Sequence, residues 1–552
     1  MSTEVAVGRQ SALRPDAPRP SAATRAGRFP VSYLVIGVPL VIGAVRLIEA
    51  WHRPFTGGGD VAFIELAIRH AMSHAAALGP YSRFGWYHPG AFVFYLFAPL
   101  YAVSGDSSRA LFVDAWLLNA GCALAVVAVV RRFAGEAVAL AGAVVVALFV
   151  GTTGFAELIN PWNPSLLALP VLLTLVAAAA AATGSTGALV VAALAGSLAV
   201  QTHLSTVPVV AVALVASALA WVFARRPAVP AAGGPGTTGR WAARWWGARW
   251  RDGGWRDGGR PLVIVGLLAL VGVWIGPLVQ EVLRPNGNLT QIARFYLHPP
   301  PVVGVTHHGL SETLGAATAF PTTVPFASPT NLNGHRGRIL VAVGYGVAGL
   351  AVAVVGRRRS RFAAGLGLAT SVGLLAALVA ASRVIGPLYY YLFLWSRMLA
   401  VPMLLGVMVL VAPRVAATRW AVAPRVALVV AGALSAVVVS RVIVAGKVIS
   451  YGDSPDARAV AAAIEHAVGP RSSAPFRLTV VTEQFADGPV LLTLVKDGYH
   501  FAMTSPMDLY AGNVVHADNG PVFSLQPSTD TAPPAGTHLL AADGTIAAYQ
   551  NG

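Results

Sequence analysis

Long runs of apolar residues alternate with short polar connections along most of the chain. Runs able to cross about 30 Å of hydrocarbon lie near 31–49, 110–130, 136–154, 164–182, 187–202, 206–223, 262–281, 339–356, 362–381, 389–411 and 425–444. This pattern predicts eleven transmembrane helices. The fifth and sixth runs are divided only by Thr202-His203-Leu204-Ser205, so both are short. The run 90–104 is excluded. It is short, rich in Phe and Tyr, and follows a polar aromatic turn, which suits a helix lying in the membrane interface. Residues 61–77 carry apolar positions at helical spacing and predict another interfacial helix. Beyond residue 445 the hydrophobicity falls to that of a soluble domain. There 456–468 and 489–498 read as helices, and 476–482 and 500–504 as strands, a small α/β unit.

Composition agrees with this reading. Of 552 residues, 56% are hydrophobic and 11% charged, against about 25% charged in a soluble domain. Mean hydropathy is +0.65. The net charge of +16 does not point to nucleic acid, because the excess is mostly Arg placed between apolar runs. With the N-terminus inside, the cytoplasmic segments hold twenty-two arginines and the outside connections nine. The positive-inside rule therefore orients the chain N-terminus in and C-terminus out. The expected organisation is a disordered cytoplasmic tail over 1–30, a transmembrane domain over 31–445 and an extracytoplasmic α/β domain over 446–552. The first run is read as a retained span rather than a signal peptide. Residues 225–261, rich in Trp, Arg and Gly, read as a loop held at anionic headgroups. The single cysteine, Cys122, excludes a disulfide framework within the chain. No internal repeat of the kind that builds many transporters is evident.

Candidate chemistry concentrates in the outside connections. Asp60 follows a run of three glycines and starts the first interfacial helix. It is a helix cap, a general base, or both. Glu65 and Arg69 stand at i, i+4 and read as a structural pair. Between the two interfacial helices, Tyr81, Arg83, Trp86, Tyr87 and His88 combine rings that stack on sugars with a guanidinium that forks onto phosphate. The same rings also suit an aromatic interfacial belt. Glu157, Asn160, Trp162 and Asn163 close the third span on the same side. His203 sits between the fifth and sixth spans, and Arg284 and Arg294 fall in the second large loop. Arg383, Tyr391 and Arg397 gather where the tenth span begins. Arg383 and Arg397 are the candidates for a donor phosphate. Arg397, about two turns inside a span, needs a partner or an anionic ligand. His70 and His74 have metal-compatible spacing, but no third ligand is evident nearby. No cofactor is therefore assigned, and a divalent metal stays open.

The order of these features resembles the GT-C membrane glycosyltransferases, in the branch of the protein O-mannosyltransferases and aminoarabinose transferases. The resemblance rests on the acidic residue after the first span and on His88-Pro89 opening the second interfacial helix, with Ser104-Gly105-Asp106 ending it. It extends through Arg131-Arg132, Asn160-Pro-Trp-Asn-Pro-Ser165, Gln201-Thr-His-Leu204, Gly276-Pro-Leu-Val-Gln-Glu281 and Asn286-Gly-Asn-Leu289, and spans roughly residues 30–445. It implies a GT-C fold, with Asp60 as the catalytic carboxylate and a polyprenyl-phosphate sugar as donor, transferred with inversion. Family members often carry two adjacent acidic residues there, whereas this chain has Asp60-Val61.

The function expected is sugar transfer to a cell-envelope polysaccharide, glycolipid or protein, outside the bacterial cytoplasmic membrane. Expected partners are the polyprenyl-phosphate sugar, the acceptor and membrane lipids, with no nucleic acid. A lipid-linked sugar flippase and a non-catalytic membrane scaffold are the competing readings.

Overall fold

A computed structural model describes residues 30–53, 55–82, 84–225, 259–300, 307–323, 332, 336–416, 422–448, 454, 457–471, 475–480, 487–504, 521–527, 536–542 and 546–551. The expected tail over 1–30 (but for Pro30), most of the 225–261 loop, and Arg83 lie outside these residues.

The chain folds as a polytopic helical membrane protein. Among the described residues, ten helices are long and apolar enough to cross a bilayer. The eleventh expected crossing is the helix Thr186–Thr202, one residue short of the length that marks the others. Its packing against the preceding span is that of a crossing helix. The preceding span opens at Asn163, and this helix closes at His203. The Asn163 side-chain amide donates to the Thr202 carbonyl at 3.3 Å, so the start of one meets the end of the other in an antiparallel hairpin. Every residue of the Ala168–Ala181 helix is buried, as expected of a helix apolar on all sides. It forms the centre of the bundle.

Small residues set the closest helix contacts, as is usual where hydrophobicity cannot drive helices together in lipid. The helices Arg336–Arg359 and Arg361–Ser382 meet at Gly349 and Gly367. A Cβ on Gly367 would lie 2.4 Å from the Gly349 carbonyl oxygen.

Two interfacial helices fill the first connection, Asp60–Ser73 and Phe92–Val103. The second has 12 residues and spans about 18 Å, too short to cross. Between them, residues 79–90 form a tight hairpin. The Ser82 N–H donates to the Trp86 carbonyl at 2.9 Å, and the His88 N–H to the Pro80 carbonyl at 2.8 Å. Gly85 at φ +81° makes the turn that a side chain would strain. The tenth span opens as a nine-residue 3₁₀ helix, Tyr390–Met398, before continuing over Val401–Ala416.

After the last span, Val422–Ala445, comes a five-stranded sheet of order β2-β1-β3-β5-β4. The strands are β1 Phe476–Val480, β2 Phe501–Thr504, β3 Val522–Pro527, β4 Thr537–Ala542 and β5 Ile546–Asn551. β1 pairs in parallel with β2 and β3, while β5 pairs antiparallel with both β3 and β4. Helices Ala457–Val468 and Gly488–Lys496 accompany them. This unit rests on the Asp60–Ser73 helix. Gly488 lies so close to Phe63 that a Cβ there would meet the ring at 2.9 Å.

If glycine contacts set the helix spacing, Gly367→Leu should destabilise the detergent-solubilised protein by about 1–3 kcal/mol, the usual cost of overpacking. Thermal unfolding read by tryptophan fluorescence would show it. An unchanged transition would contradict the contact.

Candidate active site

A cavity of about 480 Å³ collects residues from five connections. The first connection supplies Asp60, Tyr81, Phe84, Trp86 and His88. Trp162, Asn163 and Pro164 enter at the head of the central helix, and His203, Leu204 and Ser205 come from the tip of the short hairpin. The Asn288–Leu297 helix adds Ile292, Phe295 and Tyr296. Arg383, Val384, Ile385 and Tyr391 close the ring. With Thr186–Thr202 counted as a crossing, these connections follow the first, third, fifth, seventh and ninth spans. They therefore share one face of the membrane.

Asp60 is the first residue of its helix, and Gly59, at φ +51°, holds the cap position. The carboxylate is therefore not the cap. The Trp162 side chain hydrogen-bonds it. Burial pushes its pKa from 3.8 up to about 6, with the Trp162 bond working against that rise. The group is thus a stronger base than an ordinary carboxylate, yet largely ionised at neutral pH.

His88 and His203 lie with ring centroids 4.5 Å apart. The backbone N–H of Leu204 donates to Nδ1 of His88, and that of Ser205 to Nδ1 of His203, each at 3.2 Å. The two successive amides leave the proton on Nε2 of both rings. Burial holds His88 well below the usual imidazole range and lowers His203 to about 4. Both rings are neutral N–H donors. Trp86 meets His88 edge-on at 5.5 Å, and Trp162 meets Tyr391 edge-on at 5.0 Å. Phe84, Trp86, Ile292, Phe295 and Ile385 make one apolar wall. Arg383 is exposed and is the one cation in the lining among the described residues.

The lining therefore brings together nine of the residues singled out in the sequence: Asp60, Tyr81, Trp86, His88, Trp162, Asn163, His203, Arg383 and Tyr391. The others lie elsewhere. Tyr87 points away; its backbone exchanges two hydrogen bonds with the Asn288 side chain, both 2.8 Å, and its ring packs edge-on to Tyr81. Asn160 turns inward to accept the Trp162 N–H at 3.0 Å. Arg294 donates to the Asn286 side chain at 2.8 Å on the surface. Arg397 is buried with its guanidinium 5.3 Å from the centre of the Phe320 ring, and Glu157 is the carboxylate that acts on it. Neither lines the cavity. The expected Glu65–Arg69 pair does not form: Arg69 bonds Asp106 at 2.5 Å, while Glu65 pairs with Lys496. His70 and His74 stack at 4.9 Å. Among the described residues no three or more His, Cys, Asp or Glu side chains converge as metal ligands, and Asp60 has no second carboxylate beside it in the cavity lining. The residues present do not fit a metal site, and no step is derived through one.

Phe84, Ile292 and Phe295, which also line the cavity, are not singled out in the sequence. The spacing of Ile292 and Phe295, three apart on a short amphipathic helix, was the available signal. Nothing local in the sequence indicates that Trp162 bonds Asp60.

No family model matches the chain, and no curated protein matches it in sequence. Solved structures do match. ArnT from Cupriavidus metallidurans bound to undecaprenyl phosphate aligns over 94% of this chain and 97% of its own, with a TM-score of 0.50 and 14% identity. The apo form of that ArnT aligns over 96% and 98%, with a TM-score of 0.42 and 13% identity. An Archaeoglobus fulgidus oligosaccharyltransferase in complex with zinc and sulfate aligns over 89% of this chain and 67% of its own, with a TM-score of 0.40 and 14% identity. The likeness to the first over nearly the whole of both chains shows the fold. This chain has the GT-C fold that it shares with that ArnT, with a small sheet domain following the last span.

A raised carboxylate pKa weakens the fold. The penalty is absent below about pH 4, grows as pH rises through the interval to about 6, and is complete above it. Asp60→Asn should therefore melt higher than wild type at pH 7.5, by about 1–2 kcal/mol after allowance for the open cavity. The gap should close as pH falls toward 4. A lower melting temperature for Asp60→Asn at pH 7.5 would contradict the placement of the carboxylate.

Proposed function

We propose that the protein transfers a sugar from a polyprenyl-phosphate donor to a cell-envelope acceptor (a polysaccharide, glycolipid or protein) on the outer face of a bacterial cytoplasmic membrane. The cavity faces outward with the N-terminus in the cytoplasm, and residues 446–552 form a domain on that outer face. One observation carries this reading: the Asp60 carboxylate sits in the wall of a cavity that also holds sugar-stacking rings, an apolar wall and an exposed arginine.

In the reaction the acceptor hydroxyl oxygen forms a bond to the sugar C1 while the C1–O bond to the donor phosphate breaks. Asp60 takes the hydroxyl proton. The electron pair of the breaking bond stays on the departing polyprenyl phosphate. Arg383 offsets the charge that develops there. A single displacement of this kind inverts the anomeric centre. The N–H groups of His88 and His203 suit sugar hydroxyls, which accept from neutral donors, and the Trp86 and Tyr391 rings suit sugar faces. Phe84, Ile292, Phe295 and Ile385 suit the first isoprene units of the donor.

The test uses proteoliposomes and a panel of radiolabelled polyprenyl-phosphate sugars. Asp60→Asn should lower transfer by about two to four orders of magnitude. In wild type, kcat/KM should climb with pH through about 6 and level off above it, because the base works only when ionised. That limb should vanish in the residual activity of Asp60→Asn. Transfer by Asp60→Asn at the wild-type rate would refute the role of Asp60. Arg383→Ala should lower kcat by about 100-fold, read in the same assay.

A further inference from the structure

The Asp60–Ser73 helix carries a second carboxylate that the chemistry above does not use. Glu65 is fully buried, and its Oε1 accepts from Tyr101 Oη at 2.7 Å. The charge on it is met by Lys496 Nζ, which comes from beyond the last span. Lys496 also donates to Ser108 Oγ at 2.8 Å. Tyr101 in turn receives Arg69 Nη1 at 3.4 Å, and Arg69 bonds Asp106. This chain of polar contacts joins the Asp60 helix, the second interfacial helix with the turn after it, and the C-terminal unit. Three more contacts converge on the chain around Asp60. The Ser454 N–H donates to the Thr56 carbonyl at 3.0 Å. Leu492 sits 3.2 Å from where a Cβ on Gly57 would lie. Gly488 abuts Phe63 and Ala62.

We propose that Lys496 and Glu65 are positioning residues for Asp60, and that the C-terminal unit serves as the brace that holds the Asp60 helix in register with the cavity. The inference rests on the reading of Asp60 as the base. A helix moves as a rigid rod, so a strong contact at Glu65 fixes the rotation and height of Asp60, five residues earlier. The contact is strong because Glu65 is buried, and its loss leaves the buried carboxylate with the Tyr101 hydroxyl as its one hydrogen-bond donor among the described residues. Rate is sensitive to such anchors: a displacement near 1 Å can cost about 100-fold.

The experiment compares the full-length wild type with Lys496→Met, Glu65→Gln and the double variant. Two readouts are taken in the same proteoliposomes. The first is hydrogen exchange of the peptides covering 55–69, with β1 and β3 as the control for a folded C-terminal unit. Lys496→Met should speed exchange over 55–69 at least tenfold and leave the strands protected. The double variant should recover much of the protection, because an amide replaces the stranded carboxylate. The second readout is sugar transfer. Lys496→Met should lower kcat by about 10- to 100-fold with little change in KM for the lipid donor, and the double variant should regain part of kcat. Exchange over 55–69 that matches wild type in Lys496→Met would overturn the brace. So would loss of strand protection in step with 55–69 in both Lys496→Met and the double variant, which is the signature of a purely structural contact. If wild type transfers no sugar, the proposed reaction fails, while the exchange data still decide whether Lys496 holds the helix.

Discussion

A carboxylate beside hydrocarbon must be surrounded by protein, and that surrounding decides how strong a base it is. Asp60 occupies such a place. Trp162 hydrogen-bonds it, Tyr81 and the buried Asn163 line the same small recess, and none of these brings positive charge to the carboxylate. The only described cation in the lining is Arg383, at the exposed rim. With an arginine against it, the carboxylate would be a weaker base. Every other feature of the cavity follows from having to enclose this group with side chains drawn from five connections.

The membrane makes that convergence possible. Chain that crosses a bilayer returns to a given face only after every second span, so polar segments far apart in sequence are delivered to one side. The hairpin closed by His203 shows how strictly this works: a helix of 17 residues is just enough to bring a histidine back beside Asn163. A shorter segment would have stranded His203 in lipid.

Much of this was legible in the sequence because the bilayer imposes length and polarity on each segment. The spans, the two interfacial helices and the position of Asp60 at the start of the first of them could all be read that way. Nine of the residues singled out fall in the cavity lining because they sit at the mouths of spans, where a polar or aromatic residue is conspicuous. What could not be read depends on side-chain direction. Glu65 and Arg69 are correctly spaced to pair, yet each finds a better partner across a tertiary contact, Lys496 and Asp106. Arg397 reads as a phosphate ligand from its depth alone, but a nine-residue 3₁₀ helix turns it toward Phe320 and away from the cavity. Strands β3 to β5 also escaped notice. In β4, exposure does not alternate along the strand, so its sequence lacks the two-residue period that marks a half-buried strand.

The Lys496–Glu65 contact also has a meaning for the order of assembly. Glu65 is made soon after the first span, whereas the ammonium that neutralises it is made only after all the spans. Until the C-terminal unit docks, water can still reach Glu65 from the side that this unit later covers. Docking removes that water and delivers the counter-ion in one event, so the growing polypeptide never has to carry a naked charge in a dry place.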